Sequence, residues 1–252
     1  QDLRAVLDAE GTQYQCFFVV NAIKLRADRA RVRSLAARSD VARIVSNAWV
    51  PGVPSMDYVS TEAEPSRIEP NLLPVRADDV SALGYTGQGV VVGGQDTGYD
   101  WDHPALTGQY RGWDGTRDEQ DYNWHDPVHD GGGACGPDTL EPCDDWGHGT
   151  HTMGTIAGDD GGTNQIGMAP GAEWIGCRNM DVGYGTPATY IECFEFFLAP
   201  YPVDGSPEQG DPSLAPHIVS NSWSCPPSEG CDADTLEAAV EALRRRGLEP
   251  KE

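Results

Sequence analysis

The stretch VVVGGQDTG, residues 90–98, decides the fold. Its β-branched run is unbroken by polar residues, which predicts a buried strand over residues 89–94. Asp96 follows at the end of this strand, and Gly98 lets the chain turn sharply behind it. In open parallel sheets the functional groups lie beyond the carboxyl ends of the strands. Asp96 is therefore a candidate functional carboxylate.

Helices and strands alternate on both sides of this stretch. The sequence predicts a helix over 77–83, a helix that begins at His148, a strand over 173–177, a helix over 187–198, a strand over 217–221 and a helix over 233–246. Such alternation favours an α/β fold, a parallel sheet flanked by helices. Residues 110–146, rich in Gly, Asp, Asn and Trp, are interpreted as a long surface excursion.

A smaller module precedes this sheet. A strand over 16–25, a helix over 29–38 and a strand over 41–45 predict a small α+β domain within residues 1–50. Five prolines among Ser, Glu and Gly mark residues 51–74 as an extended linker. Residues 75–252 then form the larger domain.

Charge is distributed unevenly between the two domains. The chain carries 17 basic and 40 acidic residues, for a formal net charge of −23. Residues 24–43 hold seven of the basic ones, whereas residues 77–243 hold only three against 29 carboxylates. The acidity argues against nucleic acid and anionic membranes as partners, and no stretch is apolar enough to span a bilayer. The contrast between the domains predicts that they attract each other, although two independently solvated surfaces remain the alternative.

Six cysteines are spaced as local pairs. They are Cys135 with Cys143, Cys177 with Cys193, and Cys225 with Cys231. Since no zinc-binding pattern accompanies them, disulfide-closed loops and an oxidising compartment are the favoured interpretation. Cys16, beside Phe17 and Phe18, is expected to be a buried free thiol.

His148 is the second candidate functional group. It opens a predicted helix among small neighbours in the sequence GHGTH, a place that exposes the imidazole at the edge of the sheet. A histidine next to a carboxylate such as Asp96 can serve as a general base. His148 and His151 also have the spacing of a metal pair, but no HExxH pattern accompanies them.

Four segments together carry a family resemblance. VVVGGQDTGYDWDHPAL, DDWGHGTHTMGTIAG, NQIGMAPGA and HIVSNSW occur in this order and resemble the subtilisin-like serine proteases, most nearly those of the bacillopeptidase F type. The likeness covers residues 71–247. Residues 14–50 resemble the later part of the inhibitory propeptide of such proteases, with its first strand missing.

The resemblance implies a role for several residues. Asp96 would orient the imidazole of His148, and His148 would be the general base of an Asp-His-Ser triad. Ser222, Trp223 and Ser224 would bind a polypeptide substrate as an added strand, although family members usually carry Gly at the place of Ser224. The N-terminal domain would cover the substrate groove of a secreted, extracellular endopeptidase precursor.

The chain also departs from the family pattern. No Gly-Asn turn with the oxyanion Asn and no Gly-Thr-Ser segment with the nucleophile follow residue 246. The chain is therefore expected to be inactive alone, with a missing C-terminal part of the protease as a partner. No cofactor is expected to be required. The family's calcium position falls at Ala105, so calcium is expected at most as a loosely bound structural ion, for instance on the loop 159–163.

Three interpretations of the function remain. The first is a subtilisin-like endopeptidase precursor represented by an incomplete chain. The second is a non-catalytic relative that binds peptides or acts as an inhibitory unit. The third is a metal-dependent hydrolase built on His148, His151 and nearby Asp residues, with no metal site otherwise expected.

Overall fold

The computed structural model describes residues 2–53, 68–224, 234 and 236–246. Its α-helices are α1 Leu3–Ala9, α2 Arg29–Ala36, α3 Ala77–Ala82, α4 His148–Ala157, α5 Pro187–Leu198 and α6 Glu237–Arg246. Its strands are β1 Tyr14–Phe17, β2 Ala22–Leu25, β3 Val50–Pro51, β4 Val91–Asp96, β5 Trp124–His125, β6 Glu173–Arg178, β7 Met180–Asp181, β8 Tyr184–Gly185 and β9 Ile218–Asn221. The described part of the chain contains no helix long and apolar enough to cross a membrane.

The main sheet has the order β5-β6-β4-β9, and its strands run parallel. The predicted α/β fold is thereby confirmed. Asp96, the last residue of β4, pairs with Arg178 at the end of β6. Gln95 pairs with Asn221 at the end of β9. Because the strands are parallel, these residues share one edge of the sheet, which is where the sequence places the candidate site.

Helices cover both faces of this sheet. Trp174 and Ile175 are neighbours on β6, so their side chains point to opposite faces. Trp174 packs in a core with Met153 of α4, whereas Ile175 packs in another with Phe196 of α5. Both tryptophan and isoleucine side chains are fully buried.

The glycine pair in β4 allows these helices to approach closely. A methyl group on Gly93 would lie 2.9 Å from Phe197 of α5, and one on Gly94 would lie 2.6 Å from Met153 of α4. Both distances are too short for carbon atoms in contact. The two glycines within an apolar strand therefore reflect the packing of α4 and α5 on opposite faces.

Helix α5 coincides with its predicted bounds, since its start is strongly encoded. Thr186 caps the helix by accepting from Thr189 N, and Thr189 Oγ1 accepts in return from Thr186 N, with Pro187 at the first helical position. Such a capping box satisfies backbone groups that helix formation leaves unpaired.

The N-terminal domain differs from its prediction. Residues 16–25 do not form one strand, because the chain turns at residues 18–21 and β1 and β2 pair as an antiparallel hairpin. Residues 41–45 form no strand, and Val45 is exposed. Helix α1, which the sequence analysis missed, precedes the hairpin. Local apolar runs cannot reveal a turn that is held by a distant part of the chain.

The hairpin docks on α5 through apolar side chains. Phe17 packs against Ala188 and Ile191, with Val19 and Val20 beside them. At the turn, Phe18 N and Val19 N both donate to Glu195 Oε1 of α5. An exposed ion pair between Arg26 and Asp130 also joins the domains, but such surface pairs contribute little to stability. The contact thus depends on burial and on Glu195 more than on the charge contrast.

We expect this contact to weaken as the pH rises through neutrality. Burial raises the pKa of Glu195 to about 7 from its ordinary 4.5, against the two N–H donors that lower it. An undocked, exposed Glu195 regains the ordinary pKa, so docking binds a proton. The resulting stabilisation is fully present below pH 4.5 and is lost as the pH rises through about 7. Hydrogen exchange of the β1 and β2 amides, corrected for intrinsic rates, measures this step.

Two variants separate charge from hydrogen bonding at this position. Glu195→Gln keeps an acceptor oxygen without the charge and is expected to flatten the pH step. Glu195→Ala leaves both amides without an acceptor and is expected to speed exchange at every pH. An unchanged pH step in the glutamine variant would contradict the assignment to Glu195.

The cysteines agree in part with their prediction. Cys135–Cys143 and Cys177–Cys193 are disulfides. The predicted pair Cys225–Cys231 lies outside the described residues. Cys16 is a free thiol, but the expectation that it is buried is wrong, since it is exposed. The reason is the alternation of β1, which buries Phe17 and so turns Cys16 outward.

The excursion 110–146 is only partly a surface feature. Its strand β5 joins the main sheet, and Trp124 is fully buried. Arg178 of β6, also fully buried, donates to Asp126, Asp145 and the carbonyl oxygen of Gly136. These contacts tie the excursion to the sheet edge next to Asp96, which the expectation of a long surface excursion did not include.

Candidate active site

Asp96 and His148 form a hydrogen-bonded pair at the carboxyl edge of the sheet. His148 Nδ1 lies 2.6 Å from Asp96 Oδ1. Asp96 is buried at the end of β4, and His148 is the first residue of α4. Since Nδ1 is engaged by the carboxylate, Nε2 is the nitrogen that can exchange a proton with another group. This is the geometry of an oriented general base.

Further hydrogen bonds hold the Asp96 carboxylate in place. Thr97 N donates to Oδ1 at 2.7 Å, and Thr152 Oγ1 donates to Oδ2 at 3.3 Å. These bonds fix both oxygens of the carboxyl group. Asp96 is therefore held in one orientation behind the imidazole.

Two motif glycines allow the segments of the pair to touch. Gly98 has φ 116°, and a Cβ there would collide with the carbonyl oxygen of Cys143. A Cβ on Gly149 would in turn collide with the carbonyl oxygen of Gly98. The glycines of DTG and HGTH are thus required because a side chain at either position would collide with backbone atoms. Replacement of either glycine by a larger residue would push Asp96 and His148 apart.

The environment raises the pKa of His148 above 6.5. The hydrogen bond to Asp96 is the main cause, burial opposes it, and the charge of Asp144 adds to it. The protonated pair accordingly stabilises the fold fully below pH 6.5, and this contribution is lost as the pH rises through the raised pKa. A neutral imidazole, which a general base must be, predominates only above that pKa.

Asp144 connects the two segments of the site, and the sequence analysis did not single it out. Its carboxylate accepts from Thr97 Oγ1 at 2.8 Å on one side and from Gly147 N at 2.8 Å and Thr150 N at 2.9 Å on the other. The N–H donors lie at the start of α4, where backbone groups lack intrahelical partners and a negative charge is favourable. Asp144 therefore positions the start of α4 relative to the end of β4.

We expect Asp144→Asn to lower the pKa of His148. The change keeps the size of the side chain but removes a negative charge that favours the imidazolium form. Histidine titration by NMR measures the pKa in the intact chain. Asp160→Asn, an exposed carboxylate on a loop beyond α4, is the matched control and should leave the titration unchanged. Equal titration curves for the Asp144 variant and the native chain would contradict this role.

The predicted substrate-binding segment follows β9. Ser222 and Ser224 are exposed, whereas Trp223 is half-buried, donates from Nε1 to the carbonyl oxygen of Gln95 at 3.0 Å and stacks on Tyr190 with ring centroids 4.2 Å apart. Ser224 N donates to the carbonyl oxygen of Gly52 at 3.0 Å. One main-chain hydrogen bond therefore joins this segment to residue 52 of the same molecule, and its binding of substrate stays a prediction.

Residues 183–185 lie on the other side of the chain at residue 52, opposite residues 222–224. Strand β8 pairs antiparallel with β3, with Val50 opposite Gly185 and Pro51 opposite Tyr184. Gly52 N donates to the carbonyl oxygen of Gly183 at 2.9 Å. Residues 50–53 thus lie in a cleft between residues 183–185 and residues 222–224. Residues 183–185 were not predicted to belong to the site, and residues 51–53 were predicted to lie in a linker. The glycines of the sequence VGYG, residues 182–185, could have indicated a place where another chain segment approaches closely.

The proposed metal pair is not supported by the arrangement of ligands. His148 contacts Asp96, whereas His151 is exposed one turn later on α4. Within the described ranges, no three His, Cys, Asp or Glu side chains are grouped so that they could hold a metal ion. On the loop 159–163, Asp159 and Asp160 accept from Gly161 N and Gly162 N. The expectation about calcium remains untested.

Comparison with known proteins places this geometry in a family. The sequence model of the Subtilase family (peptidase S8) matches residues 87–246. Bacillopeptidase F of Bacillus subtilis is 35% identical over 221 residues, which cover 84% of this chain and 15% of that protein. Minor extracellular protease Vpr of the same organism is 31% identical over 177 residues, covering 68% of this chain and 20% of that protein. The chain therefore spans less than a quarter of the length of these relatives.

A solved structure shares the fold. The epidermin leader peptide processing serine protease of Staphylococcus aureus, crystallised as a serine-to-alanine variant, has a TM-score of 0.67. The match covers 97% of this chain and 56% of that one at 11% sequence identity. At this identity the likeness concerns the fold alone.

Proposed function

Because this chain belongs to the subtilase family of serine peptidases, we propose that it provides the acid–base pair and the substrate cleft of a secreted endopeptidase. The observation that carries the proposal is the 2.6 Å contact between Asp96 and His148 at the carboxyl edge of the sheet. The cleft between residues 183–185 and residues 222–224 adjoins the same edge. Peptide bonds of polypeptides are the proposed substrates.

In the proposed reaction His148 moves the protons. Its Nε2 accepts the proton of a serine hydroxyl while the serine oxygen attacks the peptide carbonyl, and it later donates a proton to the leaving amine. Asp96 keeps Nδ1 protonated, orients the ring and stabilises the imidazolium form. The substrate binds as an added strand, so main-chain hydrogen bonds supply affinity without reading the sequence.

No Gly-Thr-Ser segment occurs in these 252 residues, and we propose that the serine nucleophile and the oxyanion donor lie outside them. The family order places a Gly-Asn turn and a Gly-Thr-Ser segment after the helix that corresponds to α6, and Ser220, Ser222 and Ser224 precede it. We therefore propose that the chain alone does not hydrolyse peptides, and that residues from the rest of the protease complete the site.

The N-terminal domain is the proposed inhibitory propeptide of this protease. Its hairpin packs on α5 outside the cleft, while the segment 50–53 lies inside the cleft with hydrogen bonds on both sides. Cleavage within residues 51–74 would release the cleft. Two disulfides fit an oxidising compartment, as a secreted protein requires.

Hydrolysis of casein and labelling by a fluorophosphonate probe test the proposal. A polypeptide that continues this chain through a Gly-Thr-Ser segment is expected to show both after removal of the N-terminal domain. The 252-residue chain is expected to show neither. Turnover by the 252-residue chain would contradict the missing nucleophile, and a complete protease without turnover would contradict the catalytic proposal.

A peptide-binding protein without turnover is the second candidate. The occupied cleft favours it, because two main-chain hydrogen bonds hold Gly52 without any catalytic group. This candidate is supported if the complete polypeptide binds extended peptides but neither hydrolyses them nor reacts with the fluorophosphonate.

A further inference from the structure

The cleft leaves no space for a side chain at the position of Gly52. A methyl group there would lie 2.5 Å from Met180 Sδ and 2.6 Å from the hydroxyl oxygen of Tyr190. Gly52 is not among the residues with positive φ, so its backbone conformation is open to other residues. A side chain at this position therefore requires one of the cleft walls, Met180 or Tyr190, to move.

These walls are held firmly. Met180 is fully buried in β7, and Tyr190 is 1% exposed on α5. The Tyr190 ring is stacked on Trp223 at an interplanar angle of 16°. Forcing extra atoms into such a packed place requires neighbouring side chains to leave their preferred positions, which is destabilising. Moving either side chain to make room for a larger residue therefore costs favourable packing.

The segment in the cleft cannot move away from the walls either. Gly52 N donates to Gly183 O at 2.9 Å, and Gly52 O accepts from Ser224 N at 3.0 Å. An outward shift of the segment would lengthen both bonds and leave a buried donor or acceptor without a partner. Steric fit and main-chain pairing together therefore discriminate against any side chain here.

The side chain at the next position of the segment, Val53, occupies an apolar pocket. Val53 is 6% exposed and packs on Met180 and Tyr190, with Trp146 and Trp223 at the margin of the same cluster. A methyl group on Gly183 would lie 3.2 Å from Val53, so the glycine of this wall gives the valine its space. The pocket fits a small branched apolar side chain.

From this geometry we propose that the cleft selects extended peptides with glycine at the position of Gly52 followed by a small apolar residue at that of Val53. Met180 and Tyr190 are the specificity-determining residues. The inference rests on the proposed function, since it names the substrate class of that cleft. The segment Val50-Pro-Gly-Val53 is then a mimic of the preferred substrate, held in the same register.

Hydrogen exchange of the Ser224 amide tests the selection within the intact chain. Gly52→Ala is expected to speed this exchange at least about tenfold, and Met180→Ala together with Tyr190→Phe in the same chain is expected to restore most of the protection, because both close contacts are then removed. Gly108→Ala, at a glycine with open space around its Cα, is the control and should change nothing. Unchanged exchange in Gly52→Ala, or no recovery when Met180→Ala and Tyr190→Phe are combined with it, would overturn the inference.

Binding of free peptides tests the same selection for glycine without the chain's own segment in the cleft. Gly52→Glu is expected to keep the chain's own segment out of the cleft, even when Met180 and Tyr190 are shortened. NMR titration is then carried out with acetylated, amidated Val-Pro-Gly-Val and Val-Pro-Ala-Val. The glycine peptide is expected to bind at least about tenfold more tightly, and Met180→Ala combined with Tyr190→Phe is expected to bring the two affinities together. Equal affinities before that change, or binding of neither peptide, would overturn the inference.

The peptide experiment is independent of turnover. A chain that selects the glycine peptide, within a complete protease that hydrolyses nothing, would keep this inference and contradict the endopeptidase proposal. A complete protease that cleaves both kinds of peptide equally well would keep the endopeptidase proposal and contradict this inference.

Discussion

Replacement of His148 by alanine is expected to lower kcat of the complete protease by about 10⁶-fold, because loss of the base from a serine triad removes proton transfer in both half-reactions. Asp96→Asn is expected to lower kcat by about 10⁴-fold. In that variant the amide nitrogen or oxygen faces His148 Nδ1 in place of the carboxylate at 2.6 Å, and the imidazole is no longer held in the required tautomer. Steady-state hydrolysis of a peptide substrate measures both values.

The matched control lies one helical turn away. His151 is exposed on α4, so His151→Ala is expected to keep kcat within about threefold of the native value. A metal-dependent mechanism built on both histidines would instead make the two variants equally damaging. Circular dichroism of each variant checks that loss of activity does not reflect unfolding. Substantial residual activity in His148→Ala would contradict the role of this residue as base.

The pH dependence of the same protease gives a second test of His148 as the general base. Its pKa is raised above 6.5 by Asp96, and the free base is the active form. The value of kcat/KM is therefore expected to rise with pH through a pKa above 6.5. Asp144→Asn should move this rise toward lower pH, in the direction expected for its NMR titration. A profile that is flat between pH 6 and 9 would contradict the assignment.

The sequence predicted the elements whose signals are local. Helix α5 coincided with its prediction because Thr186 and Pro187 encode its start within four residues. Strand β4 was recognised from its β-branched run, and its partners followed from the rule that strands separated by helices run parallel. Asp96 and His148 were singled out because motif glycines accompany each of them.

The sequence did not predict the features that depend on distant contacts. The turn at residues 18–21 is held by Glu195, about 176 residues later in the chain, so the apolar run Phe17–Val20 looks like a continuous strand. The cleft wall 183–185 and its partner Val50–Pro51 are strands of two residues, too short to show any alternation. Asp144 was missed because an acidic residue in an acidic loop has no distinguishing local pattern.

The buried Arg178 is another feature that depends on distant contacts, and the stability of the fold depends on it. Its guanidinium is fully buried and lies 3.1 Å from Asp126 and 3.4 Å from Asp145, both of them almost fully buried. In the sequence it is one arginine among many carboxylates, whereas in the fold it is the cation that two buried carboxylates require. Removing one member of such a group leaves buried charge without compensation.

Arg178→Met is therefore expected to lower the free energy of unfolding by about 3–5 kcal/mol. Urea denaturation measures the loss, and Arg117→Met, which removes an exposed arginine from the same excursion, is the control with an expected change below about 0.5 kcal/mol. Adding Asp126→Asn to Arg178→Met should recover part of the stability, because it removes one of the uncompensated charges. A loss as small as that of Arg117→Met would contradict the role of Arg178.

The consequence of this variant should extend to the active site. Arg178 is paired with Asp96 across β4 and β6, and its partner Asp145 adjoins Asp144, which holds the start of α4. Loosening of the excursion should therefore displace Asp144 and, through it, His148. We expect Arg178→Met to shift the NMR titration of His148 even at temperatures where the chain remains folded, whereas Arg117→Met should not. Stability and catalysis would then depend on the same buried cation, which joins the acidic excursion to the sheet edge that carries Asp96.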